Sequence, residues 1–271
     1  MPVVLVFAAL LGLPCGLQAG VSDPEIANPR DAPAYSAASI VNAAANVVEP
    51  IAPNTIATIY GKNLAYSTGS LGSGEVSGGV LPVVLPGTGV HVSVGGIAAN
   101  LYYVSPTQIN FLVPPNLLPG PVNVQVFIDG LVGPLIPLQL AAASPALFQL
   151  DVQNAVATRA DGSVITPDAP AKPGDLVVLY ATGLGQTNPP AYYSQLPTSA
   201  ARLAQMADFQ FLLDGVAVAA PSILYAGIAP GFAGLYQINV ILPASTGANP
   251  EIRIGIGAAL SVPGLRLPVQ P

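Results

Sequence analysis

Along this chain, apolar residues come in short runs that alternate with polar ones or stay apolar throughout, each closed by Gly, Pro or Asn. In the first half the runs are Thr55–Tyr60, Val90–Val94, Ala98–Val104, Gln108–Val113 and Val122–Ile128. Their length and period of two predict β-strands. The second half repeats the style with Leu176–Ala181, Phe209–Leu213, Ala217–Tyr225, Leu235–Leu242 and Glu251–Ile256. No window carries a helical period. The Ala-rich stretch Ala37–Ala45 is a helix by composition alone, and Asn42, Asn46, Val47 and Val48 argue against one.

The halves also match each other. Ala52-Pro53-Asn54 to Tyr60-Gly61-Lys62-Asn63-Leu64 aligns with Lys172-Pro173-Gly174 to Tyr180-Ala181-Thr182-Gly183-Leu184, so that Pro173 follows Pro53 by 120 residues. Gln108-Ile109-Asn110-Phe111-Leu112-Val113-Pro114 matches Gln237-Ile238-Asn239-Val240-Ile241-Leu242-Pro243 at a spacing of 129, which places a loop longer by nine residues in the second copy. Internal repetition on this scale predicts two similar domains. With 271 residues, two cores of about a hundred residues each are the natural division. The expected fold is all-β, two tandem immunoglobulin-like β-sandwich domains: 1–20 a signal peptide, 21–38 a linker, 39–140 the first domain and 141–271 the second.

Composition supports this picture. The 30 prolines and 28 glycines fit short strands joined by turns and would break helices. Charged residues are only 7% against 52% apolar, about a quarter of the usual charged share, which excludes charge-driven disorder. A net charge of −6, with seven basic residues scattered singly, offers no patch to neutralise phosphates, so nucleic acid is excluded as a partner. The apolar run Val3–Leu13 has the length of a signal-peptide core and is too short to span a bilayer. Cleavage near Ala19 is expected, with an exported, extracellular or cell-surface protein that does not span the membrane afterwards. The one cysteine, Cys15, falls inside that run, so the mature chain is expected to have no disulfide.

The phrases Tyr103-Val104-Ser105-Pro106-Thr107-Gln108-Ile109-Asn110-Phe111, Pro170-Ala171-Lys172-Pro173-Gly174-Asp175, Tyr180-Ala181-Thr182-Gly183-Leu184-Gly185 and Gly234-Leu235-Tyr236-Gln237-Ile238-Asn239-Val240 closely resemble the uncharacterised Solibacter-type C-terminal domain family. Thr58-Ile59-Tyr60-Gly61-Lys62-Asn63-Leu64 is similar to the strand-turn signature of IPT/TIG-type Ig-like domains. The resemblance implies export and a place at the end of larger surface proteins; it implies no activity that residues here could inherit. The chain departs from that pattern in standing almost alone behind its leader and in ending on Leu260-Ser261-Val262-Pro263.

Candidate chemistry is sparse. The one histidine, His91, alternates with valines in Val90–Val94 and reads as a solvent-facing strand residue, with no serine-nucleophile elbow to serve. One His and one Cys cannot make a zinc site. Asp161 with Asp168, and Asp214 alone, lack the density of acids that calcium requires; Asp161-Gly162 and Asp214-Gly215 read as hairpin turns. The reading is therefore no catalytic residue, no metal and no cofactor. Ser67–Gly79 is a Gly/Ser-rich insertion expected to be mobile, while Thr187–Ser199, carrying Pro189, Pro190, Tyr192, Tyr193 and Pro197, is a stiffer loop displaying aromatics. Tyr192 and Tyr193 are the candidate binding residues, because tyrosine offers a flat apolar face with a polar tip to a sugar or a partner surface; the alternative is that they anchor their own loop or fill an interdomain groove.

The expected function is a non-enzymatic structural or adhesion-type module whose partner is a surface glycan or another surface protein. The competing class is a secreted polysaccharide-active hydrolase or carbohydrate-binding protein, the hydrolase distinguished by two carboxylates roughly 5 to 9.5 Å apart in a cleft. An outer-membrane barrel, suggested by a mean hydropathy of +0.61, is disfavoured by 6% aromatics and no Trp.

Overall fold

The computed structural model describes residues 31–271; the predicted leader, its cleavage site and Cys15 lie outside the described residues. Ten strands precede residue 141: β1 (Ile40–Asn42), β2 (Ile56–Tyr60), β3 (Gly69–Ser70), β4 (Val90–Val94), β5 (Ile97–Ala98), β6 (Asn100–Val104), β7 (Gln108–Leu112), β8 (Gly120–Ile128), β9 (Leu131–Val132) and β10 (Ile136–Leu140). Eleven follow: β11 (Ala146–Leu147), β12 (Ala157–Arg159), β13 (Leu176–Thr182), β14 (Thr187–Asn188), β15 (Ala201–Leu203), β16 (Phe209–Leu213), β17 (Val216–Ala217), β18 (Ile223–Ile228), β19 (Tyr236–Ile241), β20 (Ile252–Ile256) and β21 (Ala259–Leu260). The only helical turns among the described residues are three-residue 3-10 segments.

The strands form four open antiparallel sheets. In the first half, β1-β2-β7-β6-β3 faces β10-β8-β4-β5, with β9 added to β8. In the second half, β11-β13-β19-β18-β15-β14, with β12 on β13, faces β17-β16-β20-β21. Alternation decides what lies between them. Ala57, Ile59, Ile109 and Phe111 from one sheet meet Val90, Val92, Val124 and Val126 from the other in the first core. Val177, Leu179, Ile238 and Val240 meet Phe211, Ile252 and Ile254 in the second. Both pairs are Ig-like β-sandwiches of aligned layers, as the sequence predicts. The aligned repeats occupy equivalent places, β2 and β7 in the first sandwich corresponding to β13 and β19 in the second, and each of these pairs is a register of neighbouring strands.

A third core lies between the sandwiches. It is built from the outer faces of the two larger sheets and their loops: Ile56, Tyr102 and Leu112 on one side, Val178, Tyr180 and Phe148 on the other. Sequence periodicity does not reveal it, since the outward positions of a strand look alike whether they meet water or a second sandwich.

The structure corrects three local expectations. The predicted strand Ala217–Tyr225 is broken: β17 ends at Ala217, a 3-10 turn runs over Ala220–Ser222, and β18 begins at Ile223. Pro221 has no N–H to donate to a ladder, and the chain uses that point to cross between sheets. The Gly/Ser-rich segment expected to be mobile is tied down, Gly69 and Ser70 pairing with Val104 and Tyr103, and Gly72 N donating to Glu75 Oε2 at 2.8 Å. In the Asp161-Gly162 turn only Gly162 takes a positive φ, +85°, while Asp161 Oδ1 accepts from Ser163 N and Ser163 Oγ. Those bonds hold the Asp161 carboxyl below its usual range. At Asp214-Gly215 both residues are left-handed, the primed hairpin turn expected.

Candidate functional site

The third core is crossed by buried polar contacts that fix one sandwich on the other. Ile56 N donates to Thr182 Oγ1 at 2.9 Å, and that hydroxyl donates to Gly234 O at 2.8 Å. Tyr102 OH donates to Ala233 O at 2.7 Å, and Asn42 Nδ2 to Ser144 O at 3.1 Å. Burial pushes the Tyr102 phenol far above its ordinary pKa, so it stays a neutral donor.

Asn54 sits at the edge of this junction. Ala52-Pro53-Asn54-Thr55 is a tight turn, Thr55 N bonding to Ala52 O, with Pro53 fixing the first corner and Asn54 at φ +63° the second. The side chain points away from its own sandwich: Nδ2 donates to Tyr236 OH at 3.0 Å, across 182 residues. Tyr236, fully buried, donates its own proton to Gly185 O. The direction of these bonds is therefore fixed, because a phenol with its one proton committed can only accept from Asn54. Burial raises the Tyr236 pKa strongly and the Asn54 bond opposes that rise. Among the described residues, Asn54 Oδ1 is the buried side-chain oxygen that receives no hydrogen bond from the protein.

The loop after β14 reaches across the junction. Ser194 O accepts from Leu81 N and Gly79 O accepts from Leu196 N, both at 2.8 Å, with Val80 bridged to Gln195. Tyr193 is half-buried and its OH donates to Ala98 O at 2.6 Å; Ser194 Oγ lies 2.9 Å from Asn100 Nδ2. Tyr192 is 64% exposed. The two candidate residues are thus neighbours in sequence with opposite placements: Tyr193 is pinned on the first sandwich, and Tyr192 stands free on the rim of a cleft.

That cleft continues along the junction in three connected parts. The part at the loop end, about 180 Å³, is lined by Tyr192, Pro189, Pro190, Gln195 and Asn54 among others. A neck of about 30 Å³ shares Asn54, Thr187 and Pro190 and adds Pro53 and Pro115. A shallower part of about 380 Å³ continues from Pro53 and Gln186 to Pro119 and Gln205. None of the described residues lining the three parts is charged; their polar groups are amides and hydroxyls. The carboxylate pair that would mark a glycoside hydrolase is not found among those lining residues.

The remaining candidates lie elsewhere. His91 is exposed on β4 and Asp161 and Asp214 serve turns. No cluster of three His, Cys, Asp or Glu suited to a metal occurs among the described residues. Sequence reasoning missed Asn54. The repeat contains the signal, since one copy reads Pro53-Asn54 where the other reads Pro173-Gly174, and a side chain kept at a left-handed position suggests use.

Comparison with known families matches part of the chain. Residues 47–148 match the IPT/TIG domain. This gives the first sandwich its Ig-like character independently of the coordinates. Comparison with curated protein sequences gives no match. Among solved structures, the chain is similar to SGBP-B of the Bacteroides ovatus mixed-linkage glucan utilization locus in complex with a mixed-linkage heptasaccharide, at 10% identity and TM-score 0.33, covering 82% of this chain and 43% of that one. It is similar to the surface glycan-binding protein PbSGBP-B of Prevotella bryantii at 11% identity and TM-score 0.27, covering 79% and 36%. The Escherichia coli adhesin FdeC gives 13% identity and TM-score 0.22, covering 89% and 66%. The chain spans less than half the length of the first two. At these scores the likenesses carry no argument about function. No helix of the described residues is long and apolar enough to cross a membrane.

Proposed function

We propose that this chain is an exported, non-catalytic surface module of the Solibacter-type C-terminal kind, in which two Ig-like domains, 39–140 and 141–271, are locked together to present a binding surface at their junction. The observation that carries the reading is the strap formed by the loop after β14. Its Tyr193-Ser194 corner is bonded to the first sandwich, which holds Tyr192 outward at the rim of a cleft to which the first sandwich contributes Pro53, Asn54, Pro115 and Pro119 and the second the rest. Ligand sites favour such junctions, because two rigid walls hold contact groups in place without ordering cost on binding. Tyr192 is the contact residue and Tyr193 the anchor that positions it.

The test is expression of the whole chain with its own N-terminus, followed by adhesion of beads coated with the mature protein to cell surfaces. Exported material is expected to begin near Gly20, and Tyr192→Ala is expected to abolish adhesion without moving the melting temperature. Retention of Met1 in exported material contradicts export by a cleaved leader, and undiminished adhesion by Tyr192→Ala contradicts the assignment of the loop.

A further inference from the structure

We infer that the groove at the sandwich junction takes a neutral, linear oligosaccharide segment, with one sugar hydroxyl donating to Asn54 Oδ1 and one ring lying on Tyr192. This rests on the reading of the junction as the binding surface and adds the chemistry of the ligand. Four observations converge on it.

The first is the unmet acceptor. A buried carbonyl oxygen without a donor is costly, and native proteins rarely leave one. Asn54 is only 4% exposed, its amide nitrogen is committed to Tyr236, and its Oδ1 receives nothing from the protein. The missing partner must donate a proton. The second is size: the neck that Asn54 lines holds about 30 Å³, room for one hydroxyl-sized group between the two wider parts.

The third is charge. The lining offers the side chains of Asn54, Gln186, Thr187, Gln195, Thr198 and Gln205 but no Lys or Arg, and the chain as a whole carries −6. A uronate, sulfate or phosphate would lose its hydration without gaining a cation. Amides and hydroxyls, in contrast, each exchange hydrogen bonds with sugar hydroxyls, which donate and accept alike. The fourth is shape and surface. The three parts run end to end with an exposed tyrosine ring at one end, an arrangement for the apolar face of a ring rather than for a compact ligand. A peptide strand is a poorer fit: Pro53, Pro115, Pro119, Pro189 and Pro190 put backbone without N–H along the walls, so the ladder that recognises extended peptides cannot form.

Isothermal titration of the mature protein with cellohexaose, laminarihexaose, mannohexaose and xylohexaose tests this, with hexagalacturonate and a proline-rich decapeptide as the charged and peptidic comparators. At least one neutral hexasaccharide is expected to bind with a Kd below about 1 mM, a strength typical of a few hydrogen bonds and one stacked ring. Tyr192→Ala is expected to weaken that binding roughly tenfold. Because Tyr192 is exposed, this variant keeps the fold. Asn54→Gly, which retains the left-handed turn, is expected to weaken binding further, and the Asn54 side-chain amide resonances of the parent protein should shift on titration. Failure of all four neutral hexasaccharides, or tighter binding of hexagalacturonate or the peptide, overturns the inference. If that happens while beads still adhere through Tyr192, the ligand chemistry alone is wrong; if Tyr192→Ala leaves adhesion intact, the reading of the junction falls with it.

Discussion

The two copies of the Gln-Ile-Asn phrase make the same local bond and have different surroundings. In β7, Gln108 Nε2 donates to Asn110 Oδ1 at 2.9 Å; in β19, Gln237 Nε2 donates to Asn239 Oδ1 at 2.8 Å. Across the ladder, however, Asn110 faces Thr58, whose hydroxyl adds a 3.0 Å bond, and Asn239 faces Val178, which has none to give. Two residues on, Leu112 is 1% exposed in the junction core while Ile241 is 37% exposed. The left-handed positions of the repeat differ in the same way. Asn54 and Asn63 in the first copy stand where the second has Gly174 and Gly183. Local sequence therefore sets the strand and its turn, whereas the neighbouring sandwich decides which outward side chains are buried.

The largest effect comes at Gly183. A Cβ there would lie 2.0 Å from Ser144 O, at φ +77°, whereas a Cβ on Gly174, at φ +86°, meets nothing within 4 Å. Gly183→Asn is expected to cost about 3 kcal/mol or more, from backbone displacement added to strain. Gly174→Asn, by restoring the first copy's residue in open space, is expected to stay within about 0.5 kcal/mol. Urea denaturation of the two variants reads the difference directly, and equal losses would refute the claim that the Ser144 backbone covers Gly183 while Gly174 faces open space.

Next in size is the apolar pair. Leu112→Ala should cost about 2 to 5 kcal/mol as a cavity in the third core, and Ile241→Ala less than about 1 kcal/mol because its site can be refilled by water. Chemical denaturation midpoints at constant slope separate the two. The smallest difference is expected between the amides. Asn110→Ala strands the buried Thr58 hydroxyl, at about 1 to 3 kcal/mol, besides releasing the half-exposed Gln108 amide. Asn239→Ala frees only Gln237, which is half-exposed and can turn to water, so a loss nearer 0.5 kcal/mol is expected. Thermal scans of the pair check this; an inverted order would mean that the junction does not bury the first copy.

Much of this fold is readable from periodicity. Nine of the ten sequence-predicted strands are present within a few residues, because each carries alternation over a full pleat or an unbroken apolar run. The two-residue strands such as β3 and β14 are not readable, since two residues cannot show a period and they form only because a longer neighbour offers an edge. The junction is invisible for a different reason. Tyr102 belongs to it through a bulge, the pairing slipping between Leu101 and Tyr103, and no pattern of single residues marks a bulge. Of the candidate site, Tyr192 and Tyr193 are legible as aromatics in a proline-rich loop, but their division into free ring and anchor depends on Ala98, nearly a hundred residues away.

Two domains recognised from a repeat are expected to melt separately, each variant lowering its own transition. The third core and the bonds of Ile56, Tyr102 and Asn54 across it lead to the opposite expectation. Differential scanning calorimetry of residues 21–271, with and without Leu112→Ala, decides between them. The fused arrangement predicts one transition whose calorimetric and van't Hoff enthalpies agree and which moves as a whole in the variant. Two resolved transitions, with Leu112→Ala shifting only the one that belongs to the first sandwich, would contradict it.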